Sequence, residues 1–182
     1  MLAQAHIKLL AEYLDALRIE HPGKELPCFD PCDGGIHAKA LFLLEAPGPK
    51  AVGSTFISRN NPDPTARNMC DLLKTAGIKR GDTLIWNIVP WYVGEAGKIR
   101  AVTNRDIEQA LPQLNLLVNL LPKLKVIILV GKKAQSAKSA LRQMTPLLTM
   151  GTHHPSARVF NVWPHKRDEM QADLMAVAAL LQ

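Results

Sequence analysis

The sequence predicts an α/β fold, a three-layer α/β/α sandwich around a central, largely parallel four-stranded sheet. Three observations predict it. Four apolar, β-rich runs are separated by segments whose apolar residues recur every three or four positions. The third run, through Val126 to Val130, is apolar without alternation, as in a strand covered by helices on both faces. Finally, 182 residues with 47% hydrophobic and 21% charged content suit a single domain, 1–182, whose core needs no staples.

Taken in order, the N-terminal stretch Met1 to Leu17 sets His6, Lys8, Glu12 and Asp15 among apolar residues and reads as an amphipathic helix, not an export signal. Pro22 to Gly35 is a turn-rich connector. Ala40 to Leu44 is the first strand, and Gly48 to Asp63 follows it as a long loop, a length that draws attention in a compact domain. Thr65 to Ala76 is a helix, with Met69, Leu72, Leu73 and Ala76 at helical spacing. Thr83 to Trp86 is the second strand. The helix from Thr103 to Leu121 opens on a Thr103/Asn104 cap. Lys125 to Val130 is the third strand, Lys132 to Met144 a helix, Leu147 to Met150 the weaker fourth strand, and Arg167 to Leu181 the closing helix.

Composition narrows the partner. Lys and Arg number 22 against 16 Asp and Glu, a net charge of +6, which points toward a polyanion. No run approaches the ~20 uninterrupted apolar residues of a membrane span, so no membrane is expected. An odd set of three cysteines, Cys28, Cys32 and Cys70, suggests a reduced, cytoplasmic setting. With no fourth ligand at metal-site spacing, neither a metal nor a cofactor is expected, and the thiols read as buried or idle.

In an open α/β sheet, ligands bind beyond the carboxyl ends of the strands. Those ends carry Glu45-Ala46-Pro47-Gly48, Asn87-Ile88-Val89-Pro90-Trp91, Gly131-Lys132-Lys133 and His153-His154-Pro155-Ser156-Ala157-Arg158. Singly, each has an ordinary reading. Glu45 is a solvated turn residue, Asn87 a loop cap, His154 a surface or core histidine; Phe56 is a packing residue, and Lys132 and Lys133 a solvated helix face. An acid, an amide, an imidazole and several cations on one rim make a site.

Leu44-Glu45-Ala46-Pro47-Gly48, then Phe56, Asn87 and His154-Pro155-Ser156, resemble the motifs of the uracil-DNA glycosylase superfamily over roughly residues 40 to 170. The pattern is most similar to the class whose first motif reads Gly-Glu-Ala-Pro-Gly. Two departures stand out: Leu44 replaces the first Gly, and the second cysteine pair of that class's iron–sulfur cluster is missing. The resemblance therefore implies a cluster-free relative.

It also implies roles. Phe56 would stack on a flipped uracil, and Asn87 would read the amide edge with one donor and one acceptor. Backbone groups of Ala46, Pro47 and Gly48 would complete the pocket. His154 would donate to uracil O2 as charge develops there. The superfamily often places Asp or Asn where this chain has Ala46, so Glu45 becomes the candidate for positioning water or stabilising the oxocarbenium-like sugar. Ser156, Arg158, Lys132, Lys133, Lys166 and Arg167 would meet DNA phosphates, with Lys98 and Arg100 lining the same groove. The activity implied is hydrolysis of uracil from DNA by a monomer, leaving an abasic-site product for base excision repair. Two alternatives stand beside it: release of hypoxanthine, xanthine or mismatched thymine, and a DNA- or abasic-site-binding module with little turnover.

Overall fold

The computed structural model describes residues 4–95 and 98–182. Chain order is α1 (Ala5–Glu20), β1 (Cys28–Phe29), β2 (Ala40–Leu44), α2 (Pro49–Ser54), β3 (Phe56–Ile57), α3 (Pro64–Thr75) and β4 (Thr83–Asn87). There follow β5 (Gly94–Glu95), β6 (Lys98–Ile99), α4 (Asn104–Asn119), β7 (Val126–Val130), α5 (Lys132–Gln135), α6 (Lys138–Met144), β8 (Leu148–Thr152), α7 (Ala157–Val162) and α8 (His165–Leu181).

The main sheet is parallel throughout, in the order β4-β2-β7-β8. Every residue of β4 and β7 is buried, and so is β2 up to Leu43, which is why these runs lack alternation. α1 packs on α4 and α3 packs on α8, giving a helical layer on each face. The core is aliphatic, with Phe29 stacked on Trp86 at 3.7 Å between ring centroids. Because β2 is followed in the sheet by β4 on one side and by β7 on the other, the direction of winding reverses beside β2. That reversal opens a crevice at the carboxyl ends, where ligands bind in open α/β sheets.

The three-layer architecture and the four strands agree with the sequence reading; several connections do not. The expected helix 132–144 is two helices, α5 and α6, interrupted at Ser136–Ala137. There Ser136 Oγ turns back on the Lys133 carbonyl at 2.7 Å, and Ala137 N–H bonds Ala134 O in a tightened i→i+3 turn. The expected loop 48–63 contains α2 and β3, and β3 pairs in parallel with β1 from the expected connector 22–35. The loop after Trp91 contains the antiparallel pair β5–β6. α1 starts at Ala5, and residues 1–3 of the expected N-terminal helix lie outside the described residues. No helix among the described residues is long and apolar enough to cross a membrane.

Candidate active site

The crevice holds a cavity of about 620 Å³ beyond the ends of β2 and β4. Glu45, Ala46, Pro47, Gly48, Asn87 and His154, all singled out from sequence, line it together. Ile57, Met69, Ile85, Val93 and Val102 make its apolar walls.

Each polar member is held by a local device. Glu45 follows β2, and its Oε1 accepts a hydrogen bond from Val102 N–H at 3.1 Å. The segment carrying Val102 is itself fixed by a capping box. Thr103 Oγ1 accepts from Asp106 N–H at 3.2 Å, and Asp106 accepts from Thr103 N–H at 2.8 Å. Arg100 clamps the same carboxylate through two nitrogens, both at 2.7 Å. These bonds hold the Asp106 carboxyl well below the usual carboxylate range, Arg100 contributing most. A helix cap thus aims a backbone N–H at the acid of the cavity.

Asn87 is the last residue of β4 and 4% exposed, with its Nδ2 closed off from water and without a partner among the described residues. A buried amide donor left unsatisfied costs on the order of 1–3 kcal/mol. Such a group marks either strain or a place where a ligand completes the bond.

His154 sits just past β8, and fixed points bracket it. Thr152 O, before it, accepts from Gln135 Nε2 at 2.7 Å and from Gly131 N–H at 2.9 Å. The Pro155 carbonyl, after it, accepts from Asn68 Nδ2 at 2.8 Å. Gly131 lies at φ +88°, and a β-carbon there would come within 3.0 Å of His154 Cβ. Glycine is therefore required both by its backbone conformation and by the imidazole lying against it. Burial pushes the His154 pKa below its ordinary value, against the opposing pull of Glu45 and Asp63. The ring is held neutral, and a neutral imidazole can still donate one N–H.

Gly48 has an ordinary extended conformation and caps α2, with open space where a side chain would stand. Its part is to leave room. Ala46 presents only a methyl group.

Other expectations fall away from the cavity. Phe56 is half-buried against the core and is not among the lining residues; the wall there is Ile57, Ser58 and Arg59. Ser156 caps α7, its Oγ accepting from Val159 N–H at 3.3 Å. Lys132, Lys133 and Arg158 are exposed on the surface nearby. Arg100 does line the cavity but is already paired with Asp106, and the side chain of Lys98 lies outside the described residues.

The sequence reading missed the ionic cluster under the cavity. Arg59, 6% exposed, lines the cavity and directs Nη2 to Asp33 Oδ1 at 3.2 Å and to the Thr83 hydroxyl. Arg80 bonds Asp33 at 3.1 Å and also Asp30, which takes a further bond from Ser58. Asp33 also accepts from Ile85 N–H at 3.3 Å, anchoring the free edge of β4. Burial pushes the Asp33 carboxyl up to about 6, outweighing the nearby Arg59 guanidinium.

The iron–sulfur ligand set does not fit this chain. Cys28 is buried, with Sγ accepting from Arg18 Nη2 at 3.4 Å, whereas Cys32 is exposed and Cys70 is on α3. No group of three His, Cys, Asp or Glu side chains among the described residues is arranged to hold a metal ion.

The profile of the uracil DNA glycosylase superfamily matches residues 31–177. The chain belongs to that superfamily. A solution NMR structure from Methanosarcina acetivorans, of a protein described as a candidate uracil DNA glycosylase, superposes with a TM-score of 0.54 at 16% identity. The match covers 77% of this chain and 91% of that one, and at this identity it speaks for the fold. No curated protein shows a significant sequence match. Membership in the uracil DNA glycosylase superfamily makes a DNA glycosylase the class of enzyme and DNA its partner.

Proposed function

We propose that the protein is a monofunctional uracil-DNA glycosylase that acts as a monomer in base excision repair. The observation that carries this reading is the Asn87 carboxamide, buried in the wall of the cavity with its amide donor unpartnered. A carboxamide offers one donor and one acceptor side by side. Uracil presents the complement, O4 and N3–H, whereas cytosine presents an amino group and a bare N3. Seating uracil satisfies the orphaned Nδ2, and the binding energy of that bond falls on the correct base.

The reaction breaks the bond between C1′ and N1. The bond pair leaves with the base and spreads over O2 and O4, while C1′ takes on cationic character. His154, held neutral by burial, donates its N–H to O2 as charge grows there, a term of about 10²–10³ in rate for one preorganised donor. Glu45, its Oε1 fixed by Val102 N–H, keeps a second oxygen for a water. That water adds through oxygen to C1′, and its proton passes to Glu45 or to the departed base. Because the base leaves as a stabilised anion, no second carboxylic acid is needed, unlike ordinary sugar hydrolysis. Lys132, Lys133, Arg158 and Ser156 provide phosphate contacts beside the mouth.

A second reading has one observation in its favour: Ala46 puts a methyl group where the superfamily often places Asp or Asn. That favours a binding module with little turnover. One experiment separates the readings. Purified protein with chelator is mixed with oligonucleotides containing uracil, hypoxanthine, xanthine or a thymine mismatch. The glycosylase reading expects uracil release and an abasic product. Release of another base instead would move the specificity, and gel-shift binding without any release would favour the module.

A further inference from the structure

Just beyond His154, α7 and the start of α8 carry a surface feature that the cavity chemistry leaves unused. Trp163, the C-cap of α7, is 45% exposed and Val162 beside it 56%, while the other two tryptophans, Trp86 and Trp91, are each 1% exposed. One cation meets the exposed ring, and two more lie along the same two helices. Lys166 Nζ stands 4.1 Å from its centroid, Arg167 lies over Phe160 at 5.6 Å, and Arg158 is exposed on α7. Of the nearby carboxylates, Glu169 is bound to His153 at 2.6 Å, and Asp168 sits in the first turn of α8.

The patch is tied to the cavity. α7 begins at its Ser156 cap, two residues after His154, and its six residues rise about 9 Å. On the other side, Arg167 reaches Asn68 of α3 at 3.5 Å, and α3 supplies Met69 to the cavity wall. At ~3.4 Å per stacked nucleotide, Trp163 lies within a few nucleotides of a base seated beside His154.

We propose that Trp163 is a stacking platform for unpaired nucleotides flanking the target base, so that this protein takes its base from single-stranded DNA. A base stacks on a surface indole only when its own face is free, and pairing in a duplex hides that face. An exposed aromatic ring with Lys166 against it and further cations on the same two helices suits a strand whose bases and phosphates are both accessible. An anionic lipid surface also meets cations and an exposed indole. DNA is favoured because the patch adjoins the cavity of a DNA glycosylase family member.

The inference rests on the glycosylase reading for its kinetic arm only. In the binding arm, a uracil-free single-stranded oligonucleotide is titrated into the protein while tryptophan emission and iodide quenching are followed. Trp86 and Trp91 are buried, so iodide reports on Trp163. Protection on adding the single strand, and none on adding the duplex, is expected. Trp163→Ala should weaken single-strand affinity about 5- to 150-fold, the range for losing one stacked base, and Trp163→Phe should restore most of it. In the kinetic arm, Trp163→Ala raises KM for uracil in a single strand, with kcat and duplex activity unchanged. Equal losses on both substrates, no protection by the single strand, or protection by phosphatidylglycerol vesicles instead of DNA would overturn the proposal. If the wild type releases no base at all, the glycosylase reading fails while the quenching titration still decides the platform.

Discussion

Two polar regions border the same cavity and are built differently, although each holds a buried donor without a partner among the described residues, Asn87 Nδ2 in one and Arg59 Nε in the other. At the strand ends, Glu45 has one backbone donor, and the amide nitrogen of Asn87 has no partner among the described residues. Beneath them, Asp33 accepts from Arg59, Arg80 and Ile85 N–H, and Asp30 accepts from Arg80 and Ser58. The lower cluster ties the free edge of β4 to the chain around residues 30–33 and leaves little bonding capacity on its carboxylates. The upper one leaves bonding capacity in the wall of a cavity. The difference teaches where to expect structure and where to expect chemistry: removing a group from the lower cluster should cost stability, removing one from the upper should cost rate.

The largest effect should come from the lower cluster. Asp33→Ala leaves the Arg59 guanidinium buried without its counterion, a loss of about 3–5 kcal/mol by chemical denaturation. If unfolding free energy changes by less than 1 kcal/mol, the cluster is not what holds β4. Next is His154→Ala, which should lower the rate of base release by about 10²–10³ while thermal stability stays close to wild type.

The same histidine sets a pH dependence. Below its ordinary pKa, near 6.5, the unfolded chain takes up a proton that the folded chain, with its depressed value, still refuses. Folded-state stability therefore declines as pH falls below that range, and the acid limb of kcat/KM lies beneath it. An acid limb centred at or above 6.5 would mean that a different group titrates. Smallest of all, Lys132→Ala or Lys133→Ala should leave kcat unchanged and lower the slope of log affinity against log salt by about one. An unchanged slope would remove these lysines from the DNA contact.

The contrast also explains what was legible in the sequence. β2, β4 and β7 were legible to within a residue or two because burial on both faces writes itself as apolar runs, whereas β8, an edge strand with Leu148 exposed, gave only a weak run. Thr103 was legible as a cap because its bonds are local. The upper cluster was legible because the topology delivers every strand end to one rim, so short motifs after strands gather in space. The lower cluster was not: Asp30, Asp33, Arg59 and Arg80 are spread over fifty residues, and nothing in their spacing announces the pairing. β1 and β3, two residues each, exist only through their pairing across 28 positions. Phe56 shows the same limit. As a motif residue it was expected in the pocket, but its place in β3 sets it half-buried against the core while Ile57 lines the cavity.

The most direct test is to compare wild type and Asn87→Ala on a single-stranded uracil oligonucleotide, with melting temperatures taken on the same preparations. We expect the wild type to release uracil. The variant should melt at or near the wild-type temperature and lose about a hundredfold or more in rate, since it discards a buried donor that nothing among the described residues satisfies. A variant that releases uracil at the wild-type rate would contradict the account, because Asn87 would then not be the group that reads the base.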